Sequence, residues 1–239
     1  MKLKFKPKTN LEKFGAIILN LLVDNFSQSF FVGGYVRDLI LKRKITDIDI
    51  ASEARPEKII NILKKSKIQY DDKHKNFGII IAKRGNSRIE IASFRKEAYK
   101  NSRYPKITFT KSLKLDSKRR DFTVNSLYYK PNFKLIDYYN GTKDLKRKII
   151  RFIGNPRTKI GQDPLRIVRA IRFALILGFK INKRGLKIIK HNHRLTSSLT
   201  KKRLNNEIKK IGGTKFKAIF IECVNNKNSL DKYFYSSYN

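Results

Sequence analysis

Apolar residues recur at helical spacing from Leu11 to Val23 and from Leu165 to Phe179, and between these two stretches the alternation switches to a period of two. Ser29–Gly33 reads as a strand, Tyr35–Leu41 as a short helix, and Ile45–Ala51 as a second strand. Pro56 suits a first helical turn, so Glu57–Lys65 continues as an amphipathic helix. Phe77–Ala82 and Arg88–Phe94 form a hairpin around the turn Arg84-Gly85-Asn86-Ser87. Lys96–Asp116 is polar and broken by Pro105; apart from a β-prone piece at Ile107–Phe109 it reads as a mobile loop. Ser126–Tyr129 and Lys134–Tyr139 add strand pieces, and weaker helices are expected over Arg184–His191 and Lys201–Ile211. Asn225–Asn239 is polar and reads as frayed.

Strands therefore dominate before about residue 140 and helices after it. The expectation is an α+β head over 1–140 followed by a helical domain over 141–239, with no internal repeat.

Composition adds a partner class. Fifty-six Lys and Arg against 19 Asp and Glu leave a formal charge of +37, spread along the chain of 239 residues. Such a field attracts polyanions with sequence-independent, salt-sensitive affinity, which points to nucleic acid. An AT-rich genome would also enrich Lys, but does not by itself produce so one-sided a balance. A single cysteine, Cys223, excludes an intramolecular disulfide and a Cys-based zinc cluster, and three scattered histidines make no histidine site. No apolar stretch reaches the roughly 18 residues needed to cross a bilayer, and Met1–Asn10 has no apolar signal core. A cytoplasmic protein without membrane contact is expected.

Asp47 and Asp49 are the most telling residues. In a strand over Thr46–Ala51 both carboxylates would share one face, with Ile48 and Ile50 on the other. Paired carboxylates make a poor core but a good seat for Mg²⁺, which takes hard oxygen ligands and substrate phosphates. Gly33-Gly34, just upstream, reads as a tight strand-to-helix turn where backbone N–H groups can approach a triphosphate. Alternatively, the strand merely has an acidic outer face and the glycines an ordinary turn. Glu90, between Ile89 and Ile91, is a third carboxylate if its strand lies beside Asp47 and Asp49, and otherwise an exposed edge residue.

Two further clusters could serve a nucleotide. In Lys118–Asn125, Arg120 can fork onto phosphate while Asp121 or Asn125 bonds a ribose hydroxyl; a basic loop closed by an Asp cap is the plainer reading. In Gln162–Arg172, Asp163, Arg166 and Arg169 fall three apart, opposite Leu165, Val168, Ile171 and Leu175. An acceptor beside a guanidinium donor can read the edge of cytosine or adenine. Asp163 as a cap, Pro164 at the first helical position and Arg166 as a solvated residue is the alternative.

In order and spacing, Gly33-Gly34-Tyr35-Val36-Arg37-Asp38 with Asp47-Ile48-Asp49, Arg119–Asn125, and Asp163-Pro164-Leu165-Arg166 resemble the motifs of the class II tRNA nucleotidyltransferase and bacterial poly(A) polymerase family. The resemblance covers about residues 28 to 210. It implies a nucleotidyltransferase head of the DNA polymerase β type with a mixed or antiparallel sheet, followed by an all-α neck. It also implies that Asp47 and Asp49 bind catalytic Mg²⁺, with Glu90 a third carboxylate. Gly33, Gly34 and Arg37 would contact the triphosphate, and Arg120, Asp121 and Asn125 would position phosphate and ribose. Asp163 and Arg166 would select CTP or ATP, and Arg169 would contact phosphate. The stretch Lys96–Lys111 would correspond to the family's flexible element that helps the switch to ATP.

The resemblance implies 3′-nucleotide addition to RNA, first of all CCA addition to tRNA. Poly(A), CC-only or A-only addition are the nearest alternatives, and a catalytically silent RNA-binding remnant is one of another class. Lys106–Phe109 leading into Arg119-Arg120 is more like the tRNA enzymes, whereas Asn125–Tyr129 is more like the poly(A) enzymes. Two departures stand out. Gln162 occupies the place of a usual Glu, so weaker positioning of Arg166 is expected. Family members also continue well beyond the neck into domains that grip tRNA, while this sequence ends soon after it; the expectation is that diffuse positive charge replaces part of that grip. A log–log plot of tRNA affinity against salt should then be unusually steep, and a flat plot would overturn the idea.

Overall fold

The computed structural model describes residues 6–25, 27–99 and 105–234, which divide into two compact units. The first holds the described residues up to Gly141 except 121–124; the second holds 121–124 and the residues from Thr142 on.

In the first unit, α1 (Asn10–Asp24) opens with a capping box in which Thr9 and Glu12 satisfy each other's backbone N–H groups. There follow β1 (Ser29–Val32), α2 (Gly34–Ile40), β2 (Ile48–Ser52), α3 (Pro56–Lys65, with proline in its first turn) and β3 (Gln69–Asp71). Next come β4 (Ile79–Arg84) and β5 (Ser87–Ser93), joined by the two-residue turn Gly85-Asn86. The unit is completed by β6 (Arg95–Ala98), β7 (Lys106–Phe109), α4 (Leu113–Arg119), β8 (Leu127–Tyr129) and β9 (Ile136–Asp137).

Seven strands form one mixed sheet in the order β3-β4-β5-β2-β1-β8-β9. Only β2 and β5 run parallel, which the intervening α3, β3 and β4 allow; every other pair is antiparallel. The registers set two faces. Tyr129, Phe31, Ile50, Ile91 and Ile80 stand in one row, all buried, on the face covered by α1 through Phe14, Ile18, Leu19 and Leu22. The next row reads Ile136, Tyr128, Val32, Asp49, Glu90 and Ile81. Both Asp49 and Glu90 therefore lie on the face where Val32, Ala51, Phe94, Leu113 and Tyr128 form an apolar cluster.

The stretch Lys96–Asp116 is more ordered than its polarity suggests. β6 and β7 pair as a hairpin, with Phe109 against Gly78, whose φ is +73° and whose missing Cβ would stand 2.7 Å from the Phe109 ring. Residues 100–104 lie outside the described residues. The second strand begins at Ile48, so Asp47 precedes it and the period-of-two argument holds for Asp49 alone.

The second unit is helical apart from a short parallel pair. Its elements are α5 (Gly141–Lys146, which begins in the first unit), β10 (Ile149–Ile150), α6 (Pro156–Gln162), α7 (Leu165–Leu177) and β11 (Lys180–Ile181, beside β10). Then come α8 (Lys183–His191), α9 (Lys201–Ile208), α10 (Thr214–Asn225) and α11 (Ser229–Phe234). Helix α7 is buried nearly all round, and Gly178 at φ +66° ends it two residues earlier than its apolar pattern. The expected fraying after Asn225 does not hold for Ser229–Phe234, where Leu230 and Phe234 are buried; residues 235–239 lie outside the described residues. No helix among the described residues is long and apolar enough to cross a membrane.

Candidate functional site

The site of the first unit begins where β1 ends. Gly33 takes φ +72° and ψ −134°, a conformation that a residue with Cβ adopts only under strain, and turns the chain straight into α2. The turn is also close to the functional groups: a Cβ there would lie 3.2 Å from Asp49 Oδ2 and 4.0 Å from Arg120 Nη1. Backbone, carboxylate and guanidinium thus close around one point. At Gly34 a Cβ would stand 3.6 Å from Arg37 Nη2.

Arg37 is buried and held on three sides. Its Nε and Nη2 donate to the two Asp38 oxygens (3.0 and 2.7 Å), and its Nη1 donates to Asn125 Oδ1 at 2.8 Å. The structure brings Arg37 and Asn125 together, as partners of each other. Asp49 is half-buried on β2, directly opposite Glu90 of β5 in the parallel register. Glu90 and Asp47 are exposed, and Asp47 Oδ2 accepts from Thr46 Oγ1 at 3.1 Å. Among the described residues no three His, Cys, Asp or Glu side chains converge on a metal-sized point. The three-carboxylate arrangement is thus present as strand adjacency between Asp49 and Glu90 rather than as an assembled cluster.

Arg120 closes α4. Its Nε donates to Tyr128 Oη at 2.8 Å, its Nη2 lies 3.3 Å from Asp116 Oδ2, and the guanidinium carbon stands 5.1 Å above the Tyr128 ring. Burial opposes its charge, but the Tyr128 oxygen, Asp116 and Asp49 outweigh that and raise its pKa above the usual arginine range. Asp116 is fully buried and escaped the sequence reading, as did Tyr128. The spacing Asp116-x-x-Arg119-Arg120 would have been a signal had α4 been anticipated, since i, i+3 and i, i+4 pairs meet on a helix.

The remaining sequence candidates lie in the second unit. Asp163 sits between α6 and α7, in extended conformation, where its Oδ1 accepts the Leu165 N–H at 3.0 Å. It therefore precedes the helix that carries Arg166 and Arg169. Both of its oxygens also accept from Arg203 Nη2 of α9, at 3.0 and 2.8 Å. Arg166 is buried rather than solvated, and its Nη1 donates to Lys159 O (3.0 Å) and Gln162 Oε1 (2.9 Å). The neutral amide of Gln162 thus makes the bond that orients Arg166. Arg169 is engaged by Asp121, with Nε and Nη2 at 2.8 and 2.6 Å from Oδ2, while Asp121 Oδ1 accepts the Phe122 N–H. Burial works against the Arg169 charge, yet Asp121 and Glu207 raise its pKa. Glu207 also binds Arg172 Nε at 2.6 Å, so α9 lays one cation and one carboxylate along α7. Arg203 and Glu207 had no sequence signal, because their partners lie some 35 to 40 residues away.

The CCA-adding enzyme of Lactobacillus helveticus is 38% identical over 197 residues, 82% of this chain and 48% of that protein. The chain thus spans about half the length of the curated relatives it matches. Among solved structures, the Bacillus stearothermophilus CCA-adding enzyme in complex with CTP superposes with a TM-score of 0.80 at 29% identity, covering 95% of this chain and 54% of that one. The Thermotoga maritima CCA-adding enzyme complexed with tRNA(CCA) superposes with a TM-score of 0.72 at 26% identity, covering 97% and 55%. Residues 29–151, which carry the Gly33 turn, Asp49, Glu90 and Arg120, match the Poly A polymerase head domain, and the chain belongs to that family.

Proposed function

We propose that this chain adds nucleotides to RNA 3′ ends without a nucleic-acid template, building CCA on tRNA from CTP and ATP. The observation that carries the reading is the point at Gly33, where Asp49 Oδ2 and Arg120 Nη1 come within 3.2 and 4.0 Å of a position that only a glycine leaves open. A carboxylate and a guanidinium facing one small gap on a rigid turn suit a metal-bound triphosphate. The CTP and tRNA complexes of the relatives, and a formal charge of +37, support the substrate class.

The donor chemistry suits Mg²⁺: Asp49, with Glu90 opposite it on β5 and Asp47 just before the strand, offers hard carboxylate oxygens. When bound, the ion would neutralise charge on the triphosphate and lower the barrier to loss of the RNA hydroxyl proton. The chain's own part is binding and orientation. Arg120 draws the phosphates to the Gly33 turn, and Arg37, locked by Asp38 and Asn125, holds a second positive charge beside Gly34. In the reaction the RNA 3′ hydroxyl gives its proton to water, its oxygen bonds to the α-phosphorus, the bond from that phosphorus to the α–β bridging oxygen breaks, and pyrophosphate leaves with the electron pair. In the second unit, Asp163 accepts from the exocyclic amine shared by cytosine and adenine, and Arg166 donates to the ring nitrogen or carbonyl.

Sequencing the 3′ ends of a tRNA lacking CCA, after incubation with CTP and ATP, tests the proposal. Ends of CCA are the expected outcome. Long A tails would move the chain to poly(A) addition, ends stopping at CC or gaining only A would narrow its specificity, and unextended but tightly bound tRNA would make it an RNA-binding protein without catalysis.

A further inference from the structure

We propose that Asp116 and Tyr128 are positioning residues that aim Arg120 at the turn carrying Gly33 and Asp49. The three groups form a closed ring. Arg120 Nε–H donates to Tyr128 Oη at 2.8 Å, the Tyr128 O–H donates to Asp116 Oδ2 at 3.0 Å, and Arg120 Nη2 lies 3.3 Å from the same carboxylate oxygen. The direction of each bond is forced: a guanidinium can only donate, so the phenol oxygen must accept from it and pass its own proton to the carboxylate.

The ring consumes one edge of the guanidinium. Nε and Nη2 face Tyr128 and Asp116, which turns Nη1 toward Gly33, 4.0 Å from the place of the missing Cβ. The guanidinium carbon also stands 5.1 Å from the centre of the Tyr128 ring, a second contact that holds the arm to Tyr128. Tyr128 itself cannot drift, being fully buried on β8 in register with Val32, the residue before Gly33.

Stability alone does not account for Asp116. Its side chain is wholly buried beside an apolar cluster of Val32, Phe94, Leu113 and Tyr128, where packed apolar residues in place of the whole charged group would serve folding about as well. Instead it carries charge that burial opposes, held ionised by Arg120 and Arg119, whose Nε stands 2.7 Å from Oδ1, with the Arg95 N–H at 3.3 Å. A fixed anion at this depth can hold a long, flexible cation in one rotamer, and an arm that is already ordered loses less freedom when phosphate binds.

The inference rests on the reading of Arg120 as a phosphate ligand, and the experiment separates the two. Equilibrium affinities for CTP and for cytidine are measured on the full chain and on Arg120→Ala, Tyr128→Phe, Asp116→Asn and the double variant Arg120→Ala/Tyr128→Phe. Tyr128→Phe keeps the ring and removes only the hydroxyl, so it tests the ring of bonds even if Asp116→Asn folds poorly. The expected result is CTP binding weakened about tenfold by Tyr128→Phe with cytidine affinity unchanged, and no further loss from Tyr128→Phe once Arg120 is alanine. If Arg120→Ala leaves CTP affinity intact, the phosphate role of Arg120 falls and the inference with it. If Arg120→Ala weakens CTP binding but Tyr128→Phe does not, or if Tyr128→Phe weakens CTP and cytidine alike, the positioning role alone is overturned.

Discussion

Asp49→Ala abolishes nucleotide addition while leaving the fold and triphosphate binding in place. The side chain is half-buried on β2 between Ile48 and Ile50, whose burial on the opposite face holds the strand, so an alanine at 49 leaves those contacts intact. What goes is the carboxylate oxygen that, among the described residues, stands nearest the Gly33 turn, 3.2 Å from the missing Cβ. A loss of about three orders of magnitude in single-turnover addition of CMP is expected, which at 1.36 kcal/mol per tenfold is about 4 kcal/mol of transition-state stabilisation. Affinity for CTP without added divalent metal should hold or improve, because a negative charge that repels phosphate and partly neutralises Arg120 has been removed. Rapid-quench kinetics and equilibrium binding check the two halves separately. Addition within tenfold of the unmodified chain would refute the assignment of Asp49 to the chemistry.

Glu90 shows where sequence reasoning stops. Its outward orientation on β5 follows from Ile89 and Ile91, both buried, and the alternation alone establishes it. Its neighbour does not follow, because β2 and β5 are joined through α3, β3 and β4, and only the tertiary register sets Asp49 against Glu90. Gly33-Gly34 was legible as a turn because two glycines between a strand pattern and a helix pattern have few other uses. Asp47 was misplaced by one boundary: Ile45 extended the apolar alternation on paper, but the strand starts at Ile48. The hairpin of β6 and β7 was missed for a different reason. Arg95-Lys96-Glu97-Ala98 offers no apolar alternation, and its order comes from ion pairs of Glu97 with Arg95 and Arg119 and from Phe109 resting on Gly78. Charge pairs whose partners are distant in the chain leave no periodic trace. The same applies to Asp116 with Tyr128 in the first unit, and to Asp163 with Arg203 and Glu207 with Arg172 in the second.

Asp163→Ala should keep addition going but blur the choice of nucleotide. In the proposed role the carboxylate would accept from an exocyclic amine, which cytosine and adenine carry and uracil replaces with a carbonyl, so the intact acid would attract the first two and repel the third. A good bidentate pair on a base edge is worth about 1–3 kcal/mol of discrimination, about 5- to 150-fold, and loss of the single Asp163 bond should fall in the lower part of that range between CTP and UTP. Arg203 sharpens the effect. It donates to both Asp163 oxygens at 3.0 and 2.8 Å, which keeps the carboxylate turned in one direction. Removing Asp163 leaves that guanidinium beside the emptied position, where it can donate to a uracil carbonyl and so favour the wrong base. Asp163→Asn distinguishes this account from simple loss of structure. The amide keeps the volume and can still cap the Leu165 N–H, but its NH₂ group can face uracil, so discrimination should fall with the helix start preserved. Competition between CTP and UTP in single-turnover addition measures both variants. Unchanged discrimination in both would remove Asp163 from nucleotide selection and leave it an acceptor for the Leu165 N–H tied to Arg203.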